Sequence, residues 1–564
     1  MNKRTVLHSL CLVAFIGLFS ACKSGLKPLA SEYIKAEPQP LEYVAGKVPV
    51  TINATFPANW FNKKATLVAR PVLRYDGGEA WGTSYTYQGE KVTGNGQVIP
   101  YKTGAPVTLT SSFNYVPEMA KSELYLTFNA KIGNKSIALP DIKIGDGVLA
   151  TGALFDASSE TPTIAPDKFQ RIIKEAYNAD IKFLIQRAEL RSSELKKAEI
   201  SDWKDVVVSA DQTPNQKVDV EISAYASPDG AFDLNDKLAN QRETNTNKYL
   251  KKELKKDKIN IPVSAHYTAE DWEGFKDLVE KSNIQDKNLI LSVLSMYKDS
   301  EQREREIRNI SSVFSVLADE ILPQLRRSRL TANVEIIGKS DAEIRSITAS
   351  NPQKLTVEEL LYAATLVKSN VEKQAIYKKV AEIYPADFRA YNNLGVIDYT
   401  NGKIDAAETN FKKALSLSSS APETNLNLGL VALTKGDEAT AQQYIGKAAD
   451  AEGLGSALGI LALSNGNYRQ AASSFTTPTN NSALAQLLSK DYSKAQSTLD
   501  AVANPDGTTS YLKAIVASRT NNLGSVISNL KQAVKLDPSL AQKASKDLEF
   551  VKYFTNSEFL NIIK

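Results

Sequence analysis

Alternation of apolar and polar residues marks the chain from about residue 41 to 155. Segments such as "KVPVTINATFP" and "APVTLTSSFNY" place an apolar residue at nearly every second position, and turn residues separate them. A period of two is typical of strands that bury one face. Because no stretch with a helical period interrupts them, these strands predict an antiparallel β-sandwich over residues 41–155.

A polar stretch rich in Ser, Thr and Pro, "DASSETPTIAP" (156–166), follows and is typical of a linker. Beyond it the two periods alternate up to about residue 340. "ADIKFLIQRAEL" and "VDVEISAYA" indicate strands, "EISDWKDVVVSADQ" indicates a helix, and "LTANVEII" indicates a closing strand. Strands that alternate with helices predict an α/β domain over residues 165–340.

The last block, residues 355–564, has a helical period nearly throughout and repeats itself. Residues of one type recur 34 positions apart at Leu394 and Leu428, Gly395 and Gly429, Gly402 and Gly436, Ala407 and Ala441, and Ala414 and Ala448. This period and residue pattern resemble tetratricopeptide repeats. An unrelated helical bundle would not explain five positions at one spacing. The resemblance implies an all-α solenoid of helix pairs.

Four asparagines stand close to the apolar positions of the first helix in each matched repeat. The resemblance implies that these first helices line a concave groove. Asn392, Asn393, Asn425 and Asn427 are therefore candidates for contact with a partner peptide or helix. The expected partner is an unidentified envelope protein. The alternative is that these asparagines only solvate the helix surface.

The N-terminal stretch "MNKRTVLHSLCLVAFIGLFSACKSG" combines positive charges, an apolar run and small residues. This order predicts a signal peptide over residues 1–21, because the apolar run is short for a membrane span. "LFSAC" resembles a bacterial lipobox, which implies that Cys22 carries lipid. The alternative is an ordinary signal cleaved nearby, with Cys22 left as a stray thiol. Residues 22–40 are polar and contain several prolines, which predicts a tether.

The stretch "ISAYASPDGAFDLNDKLANQR" carries a second resemblance. Five residues stand at the spacing of the OmpA-like periplasmic domain motif: Gly230, Asn235, Leu238, Ala239 and Arg242. The resemblance covers about residues 165–340 and implies binding of the diaminopimelate of peptidoglycan. That ligand presents carboxylate and ammonium groups together, and Arg242 offers the planar fork that suits a carboxylate. Asn235 is predicted to cap the helix.

The chain departs from the OmpA-like pattern in two places. Ser227 stands where the family has its aspartate, and Asp229 lies close by. The family's Asn-Arg-Arg is replaced by "TAN", while Arg326 and Arg327 lie upstream. If peptidoglycan is bound, we expect Arg242 to hold the carboxylate and Asp229, rather than Ser227, to supply the anion. The alternative is a protein-contact module that has lost the glycan.

Composition and charge argue against several function classes. A formal net charge of +4, from 68 basic and 64 acidic residues, gives no excess that would suit a nucleic-acid partner. Outside the signal peptide, the only histidine is His266 and the only cysteine is Cys22. This inventory offers no Cys/His dyad and no thiolate or two-histidine zinc site, and His266 is expected to be a packed or surface residue rather than part of a triad. The sequence therefore predicts no enzyme, no cofactor and no metal site.

The combination of lipid anchor, β-domain, OmpA-like domain and tetratricopeptide block resembles Bacteroidetes outer-membrane lipoproteins. It implies a non-enzymatic scaffold that links the outer membrane to the cell wall and recruits a protein partner. Lys23, Ser24 and Gly25 stand where acidic residues send some such lipoproteins to the cell surface, so we expect the protein to face the periplasm. The alternative is an accessory or chaperone subunit of an outer-membrane assembly or secretion machine that never touches glycan.

Overall fold

A computed structural model describes residues 26–564, apart from the side chains of residues 311–313; the predicted signal peptide and Cys22 lie outside the described residues. The contacts divide the chain into two compact units. The first joins the residues up to Pro166 to Tyr384–Lys564, and the second is Asp167–Ile383. The second unit is therefore an insertion within the first.

Two large sheets and a small parallel one, Leu41–Glu42 with Val148–Leu149, form the N-terminal part of the first unit. A three-stranded antiparallel sheet and a seven-stranded, mostly antiparallel sheet share one core, with Ile52 and Leu109 from the first and Leu67 and Leu124 from the second. The β-rich fold predicted from the alternating pattern is confirmed. The strands are Ile34–Glu37, Leu41–Glu42, Lys47–Phe56, Ala65–Tyr75, Gly78–Trp81, Tyr85–Gly89, Gln97–Ile99, Ala105–Asn114, Ser122–Ile132, Lys135–Ile137, Ile142–Asp146 and Val148–Leu149.

The predicted tether, residues 22–40, is wrong for its described part. Leu26 is buried in the core of the β-domain. Ile34–Glu37 is a strand that pairs antiparallel with Lys47–Phe56. The strand is short and stands next to prolines, so its period of two extends over too few residues to be recognised in the sequence.

Within residues 384–564, five helix pairs follow one another before three short helical segments. The pairs, numbered 1 to 5, are Phe388–Thr400 with Ile404–Leu417, Pro422–Thr434 with Glu438–Ile445, Leu454–Ser464 with Tyr468–Ser474, Asn480–Leu488 with Tyr492–Asp500, and Gly507–Arg519 with Leu523–Leu536. The terminal segments are Ser539–Ala544, Leu548–Tyr553 and Ser557–Ile562. We call the first helix of each pair its A helix and the second its B helix.

A tight turn joins the two helices of each pair. One residue of each turn has the left-handed backbone that favours glycine: Gly402, Gly436, Gly466, Lys490 and Asn521 in pairs 1 to 5. The helices also pack closely, because a Cβ at Gly395 would lie 2.6 Å from the ring of Phe411. The recurring small residues in the sequence thus follow from close packing between A and B helices.

The second unit contains a four-stranded sheet, as the predicted α/β pattern requires. Its strands lie in the order Ile172–Lys182, Arg327–Ile337, Gln216–Tyr225 and Val263–Thr268. The last pair is parallel and the other two pairs are antiparallel. Two long helices, Ala198–Gln212 and Phe232–Lys256, bury residues such as Trp203 and Leu250 in the core with the sheet.

Among the remaining helices of the second unit, those between residues 272 and 325 have a core of their own, which contains Phe275, Ile290 and Leu325. The α-helices outside the two long ones are Ser192–Leu195, Trp272–Lys281, Lys287–Met296, Ser300–Asn309, Ser311–Val316, Leu322–Leu325, Asp341–Ser350, Val357–Ala363 and Asn370–Ile383. The helices between 357 and 383, which the sequence assigned to the repeat block, belong to this unit. No helix within residues 26–564 is both long and apolar enough to span a membrane.

Two local predictions in the second unit are wrong. The strand expected at "ADIKFLIQRAEL" lies earlier, at Ile172–Lys182; its first seven residues are exposed on an edge strand, which hides the alternation. The helix expected to be capped by Asn235 begins at Phe232, with Ala231 at the cap position and no side-chain cap bond. Asn235 therefore lies inside the first turns of that helix.

Candidate functional site

Three A helices hold a segment of the same chain through asparagine amides. Oδ1 of Asn393 accepts a hydrogen bond from the N–H of Ala165 at 2.8 Å, and its Nδ2 donates to the C=O of the same residue at 3.0 Å. The same double bond joins Asn427 to Thr163, at 2.7 and 2.8 Å, and Asn481 to Asp156, at 3.1 and 2.7 Å. We call these three asparagines the asparagine ladder, and residues 156–166 the inner segment.

An asparagine that pairs with both backbone groups of one residue does what a neighbouring strand does in a sheet. The donor and the acceptor that the ladder satisfies are present in every residue except proline, so these bonds recognise backbone rather than side chains. Asn393 and Asn427 are fully buried, as is Ala165. Bonds shielded from water in this way are strong, and they are costly to leave unmade.

The ladder residues occupy one register in the repeats. Each stands nine positions before the left-handed residue of its own turn: Asn393 before Gly402, Asn427 before Gly436, and Asn481 before Lys490. The sequence predicted the first two. It missed Asn481 because pair 3 is shorter and pair 4 has lysine where the repeat has glycine. Asn481 could have been found from its spacing of nine residues to Lys490 in the loop "SKDY".

The two other predicted groove residues behave differently from each other. Asn392 contacts the inner segment, since its Nδ2 donates to the C=O of Thr163 at 3.1 Å while its Oδ1 accepts from Asn427 and Thr424. Asn425 does not: its Nδ2 donates to the C=O groups of Ser419 and Ala421 at the start of its own helix. Asn425 thus has a local structural role in the described structure.

The inner segment also presents side chains to the A helices. Ala157, Glu160, Thr163 and Ala165 are buried, whereas Ile164 between the last two is exposed. The hydroxyl of Thr163 donates to the C=O of Glu452 at 2.6 Å. The segment therefore shows one side to the groove and the other to solvent.

Glu160 is the charged residue on the buried side of the inner segment. Its Oε1 accepts hydrogen bonds from Nδ2 of Asn481 at 3.0 Å and from the hydroxyl of Thr479 at 3.4 Å. Burial raises the pKa of the Glu160 carboxyl, and these two bonds oppose the rise. The groove therefore accepts a carboxyl group, with neutral donors rather than a cation.

These contacts correct two expectations. The stretch that composition predicts to be a free linker is docked along the A helices, because its backbone groups find partners there. The asparagines are not simply solvated, since Asn392, Asn393 and Asn427 are buried against that segment. The surface expected to receive a partner is thus filled by this chain itself.

The second predicted site lies in the second unit, around Arg242. This arginine is only 1% exposed. Its guanidinium donates to the backbone C=O of Tyr225 at 2.8 Å, of Arg187 at 3.0 Å and of Leu184 at 3.4 Å. Burial, and secondly the positive charge of Arg326, lower the pKa of Arg242 to about 10. It stays charged at neutral pH, but its donors are engaged by backbone.

Asp229 has a cation of its own. Its Oδ2 lies 2.9 Å from Nη2 of Arg326, and both side chains are mostly buried. The hydroxyl of Ser227 donates to Asp229 and accepts from Nε of Arg326 at 3.1 Å. We call Arg242, Arg326 and Asp229 the arginine cluster. The sequence predicted that Asp229 would bind an ammonium group of the ligand, but Arg326 neutralises this carboxylate within the protein. The sequence showed that Arg326 lies upstream of the family position, and it did not predict this role for it.

The space beside the arginine cluster is small. A cavity of about 40 Å³ is lined by Ile185, Leu234, Asn235 and Arg242 among others. One water molecule needs about 10–15 Å³ of such space, so the cavity holds about three waters and is too small to enclose a diaminopimelate side chain. Asn235 donates to the C=O of Gly230 at 3.1 Å across this turn. All four predicted residues line this one small cavity, which is only partly enclosed.

His266 lies between two possible catalytic partners on the sheet of the second unit. Its Nε2 is 3.0 Å from the hydroxyl of Ser223, and its Nδ1 is 3.4 Å from a carboxylate oxygen of Glu221. Ser223 lies within a strand that is paired on both sides. The sheet therefore uses the neighbouring backbone donors that an oxyanion would need. In the described residues no group of three or more His, Cys, Asp and Glu could hold a metal ion.

Comparison with known proteins bears on the helix pairs alone. The tetratricopeptide repeat family matches residues 388–420, which are pair 1 and the turn after it. The chain carries a tetratricopeptide repeat. This agrees with the 34-residue period and with the helix pairs that follow. No curated protein matches the chain.

Solved structures of helical repeat proteins are similar to part of the chain. A chain of the APC/C hetero-tetramer Cut9–Hcn1 is 16% identical over 40% of this chain and 45% of that one, with a TM-score of 0.31. PilF of Pseudomonas aeruginosa is 17% identical over 39% of this chain and 100% of its own, with a TM-score of 0.29. A tetratricopeptide repeat protein of Parabacteroides merdae is 13% identical over 40% and 91%, with a TM-score of 0.28. These scores are too low to carry a functional argument.

Proposed function

We propose that this protein is a non-enzymatic scaffold, anchored to the outer membrane by lipid at Cys22, that binds extended protein segments along its asparagine ladder. The binding role rests on one observation: three asparagines at one register of the repeats each bond both backbone groups of an extended residue. Stacked repeats of this kind provide extended binding surfaces for proteins. The partner is an envelope protein that supplies such a segment.

The membrane anchor in this proposal rests on the sequence. The lipobox-like "LFSAC" and the lone cysteine of the predicted mature chain support lipidation of Cys22. A Cys22→Ala variant should leave the membrane fraction and appear in the soluble periplasmic fraction. Equal membrane retention of Cys22→Ala and wild type would place the anchor elsewhere.

The second unit has two candidate roles, and the arginine cluster favours one of them. An OmpA-like fold is proposed from the motif around Arg242. Linkage to peptidoglycan would need a free anion and a free guanidinium, yet Asp229 pairs with Arg326 and Arg242 donates to three carbonyl groups. We therefore favour a protein-contact module, which makes the protein an accessory subunit of an outer-membrane assembly or secretion machine.

Affinity purification from detergent-solubilised envelopes tests the ladder. Wild type and Asn425→Ala should recover the same envelope protein, and the triple variant Asn393→Ala, Asn427→Ala, Asn481→Ala should lose it. Asn425→Ala is the matched control because its amide contacts its own helix start and not the inner segment. A partner that the triple variant still recovers would place the binding surface outside the ladder.

Pulldown with purified sacculi separates the two roles of the second unit. If the second unit is a protein-contact module, wild type and Arg242→Ala should both stay in the supernatant. Retention of wild type on sacculi with loss in Arg242→Ala would restore the peptidoglycan link.

A further inference from the structure

We infer that the inner segment is an internal ligand that keeps the groove closed, and that the groove's partner carries an extended segment of the same chemistry. This inference rests on the proposed binding role of the ladder. It goes further by naming the class of ligand and the device that controls access. The device is an autoinhibitory contact between residues 156–166 and the A helices of pairs 1, 2 and 4.

The bonds that hold the inner segment can be made to another chain. Those from the ladder reach backbone N–H and C=O groups, which any extended segment supplies. The hydroxyl of Tyr399 adds a further bond to the C=O of Ala157 at 3.1 Å. None of these contacts depends on a side chain that only residues 156–166 could offer.

The buried side of the inner segment defines which sequences fit. Positions 157 and 165 are alanines with at most 5% of their surface exposed, so these two places accept small residues. Position 160 places a carboxyl against two neutral donors, and position 163 places a hydroxyl against a backbone carbonyl. Positions 161 and 164 are exposed and free to vary. The partner segment therefore turns once near its start, as Ala157–Ser159 does, and continues without a further helical turn. It carries small residues eight apart and, between them, a carboxyl, a buried proline and a hydroxyl.

Tethering explains why the groove is closed in the isolated protein. A ligand on the same chain acts at an effective concentration of about 1 mM when its linker is short. Only residues 152–155 separate the inner segment from Thr151, whose hydroxyl donates to Glu549 in the terminal helical segments. If the intrinsic dissociation constant is on the order of 10 μM, this effective concentration keeps the groove closed about 99% of the time. An outside segment would then bind about 100-fold more weakly than to an open groove, because only the open fraction is competent.

Peptide binding to a released groove tests the inference. The probe is a fluorescent peptide of sequence DASSETPTIAP, titrated by anisotropy into the full chain. In the release variant, Ala157→Arg with Ala165→Arg, two large charged side chains at buried positions undock the inner segment while the groove itself is unchanged. The control, Thr161→Arg with Ile164→Arg, adds the same charge at exposed positions.

The release variant should bind the peptide about 100-fold more tightly than wild type and the control do. Adding Asn393→Ala and Asn427→Ala to the release variant should remove this binding. A release variant that keeps its helical circular dichroism and its melting transition but does not bind the peptide would overturn the inference. So would wild type that binds as tightly as the release variant.

Hydrogen exchange of wild type gives a readout that does not depend on a variant folding. If the inner segment leaves the groove as a bound ligand does, the amides of Thr163 and Ala165 should exchange at least tenfold faster than buried amides in the A helices. Exchange only through unfolding of the whole first unit would overturn the inference. Peptide binding without any recovered envelope partner would instead leave the internal ligand standing and count against the proposed function.

Discussion

The asparagine ladder of the first unit and the arginine cluster of the second both bind parts of this chain, yet they do so with different chemistry. The ladder uses neutral amides, and its partners are backbone groups of an extended segment. The cluster uses charges: Arg326 pairs with Asp229 inside the cluster, and Arg242 donates to three backbone carbonyl groups. A backbone partner can be exchanged for any other extended segment, whereas a buried charge requires a specific counter-group. The segment bound by the ladder can therefore be exchanged for another, whereas the contacts of the arginine cluster are permanent.

Removal of Arg242 should have the largest effect on stability. Arg242→Ala leaves the carbonyl groups of Tyr225 and Arg187 without this donor, while that of Leu184 keeps the N–H of Arg187. Because the substitution also opens a cavity, the free energy of unfolding of the second unit should fall by about 3–5 kcal/mol. Denaturant unfolding followed by hydrogen exchange of the sheet measures it. Arg187→Ala, with a mostly exposed side chain, is the control and should change stability by less than about 0.5 kcal/mol. A loss below about 1 kcal/mol for Arg242→Ala would mean that its guanidinium is spare and available to a ligand.

Removal of one asparagine of the ladder should have the next largest effect. Asn393→Ala leaves the N–H and C=O of Ala165 unpaired, which should weaken docking of the inner segment by about 2–3 kcal/mol. Exchange of the Ala165 amide should accelerate correspondingly. Asn425→Ala removes a similar amide without touching the segment, and exchange at Ala165 should stay at the wild-type rate. Equal effects of the two variants would contradict the special role of the ladder.

Opening the arginine cluster should cost less than removing Arg242. Arg326→Ala removes the cation that pairs with Asp229, but the carboxylate keeps its hydrogen bond from the hydroxyl of Ser227, so a loss of about 1–2 kcal/mol is expected. Combined with Ser227→Asp, it restores the family's anion in an opened cavity. We expect no sacculus binding even then, because Arg242 still donates to its three carbonyls. Binding gained by this double variant would show that Arg326 alone closes a glycan site.

The smallest effect is the pH dependence of docking through Glu160. Burial raises the pKa of this carboxyl in the docked state, so the docked state binds more protons than the undocked state. The contribution is fully present below the ordinary glutamate value of about 4.3 and is lost as pH rises through the raised pKa. Exchange at Thr163 should therefore accelerate across that window beyond the intrinsic rate. Glu160→Gln should remove this dependence, and an unchanged profile would mean that the carboxyl titrates normally when docked.

The sequence predicted the elements that have a periodic cause. Alternation in the β-domain and the 34-residue spacing of the helix pairs both follow from burial of one face, which the pattern of residues records. Two of the three ladder residues could be found in the same way, through their place beside Leu394 and Leu428. Asn481 escaped because the short pair 3 shifts the phase.

The contacts that the sequence did not predict are not marked by particular residue types or spacings. Docking of residues 156–166 depends on backbone groups, which composition cannot distinguish from those of any linker. The pairing of Arg326 with Asp229 joins residues far apart in the chain, so it depends on how the strands of the second unit are ordered. Docking of the inner segment and pairing of Arg326 with Asp229 both depend on the complete fold rather than on a local motif.

The insertion of Asp167–Ile383 into the first unit has a consequence for biosynthesis. The β-domain and the inner segment leave the ribosome well before the first A helix does. At about 5–20 residues per second, the interval is about 10–40 s. During that time the strands can pair, but the inner segment has no asparagine to bind. Assembly of the first unit is therefore delayed until the A helices have been made, and a product truncated between Pro166 and Tyr384 would carry the inner segment without a groove.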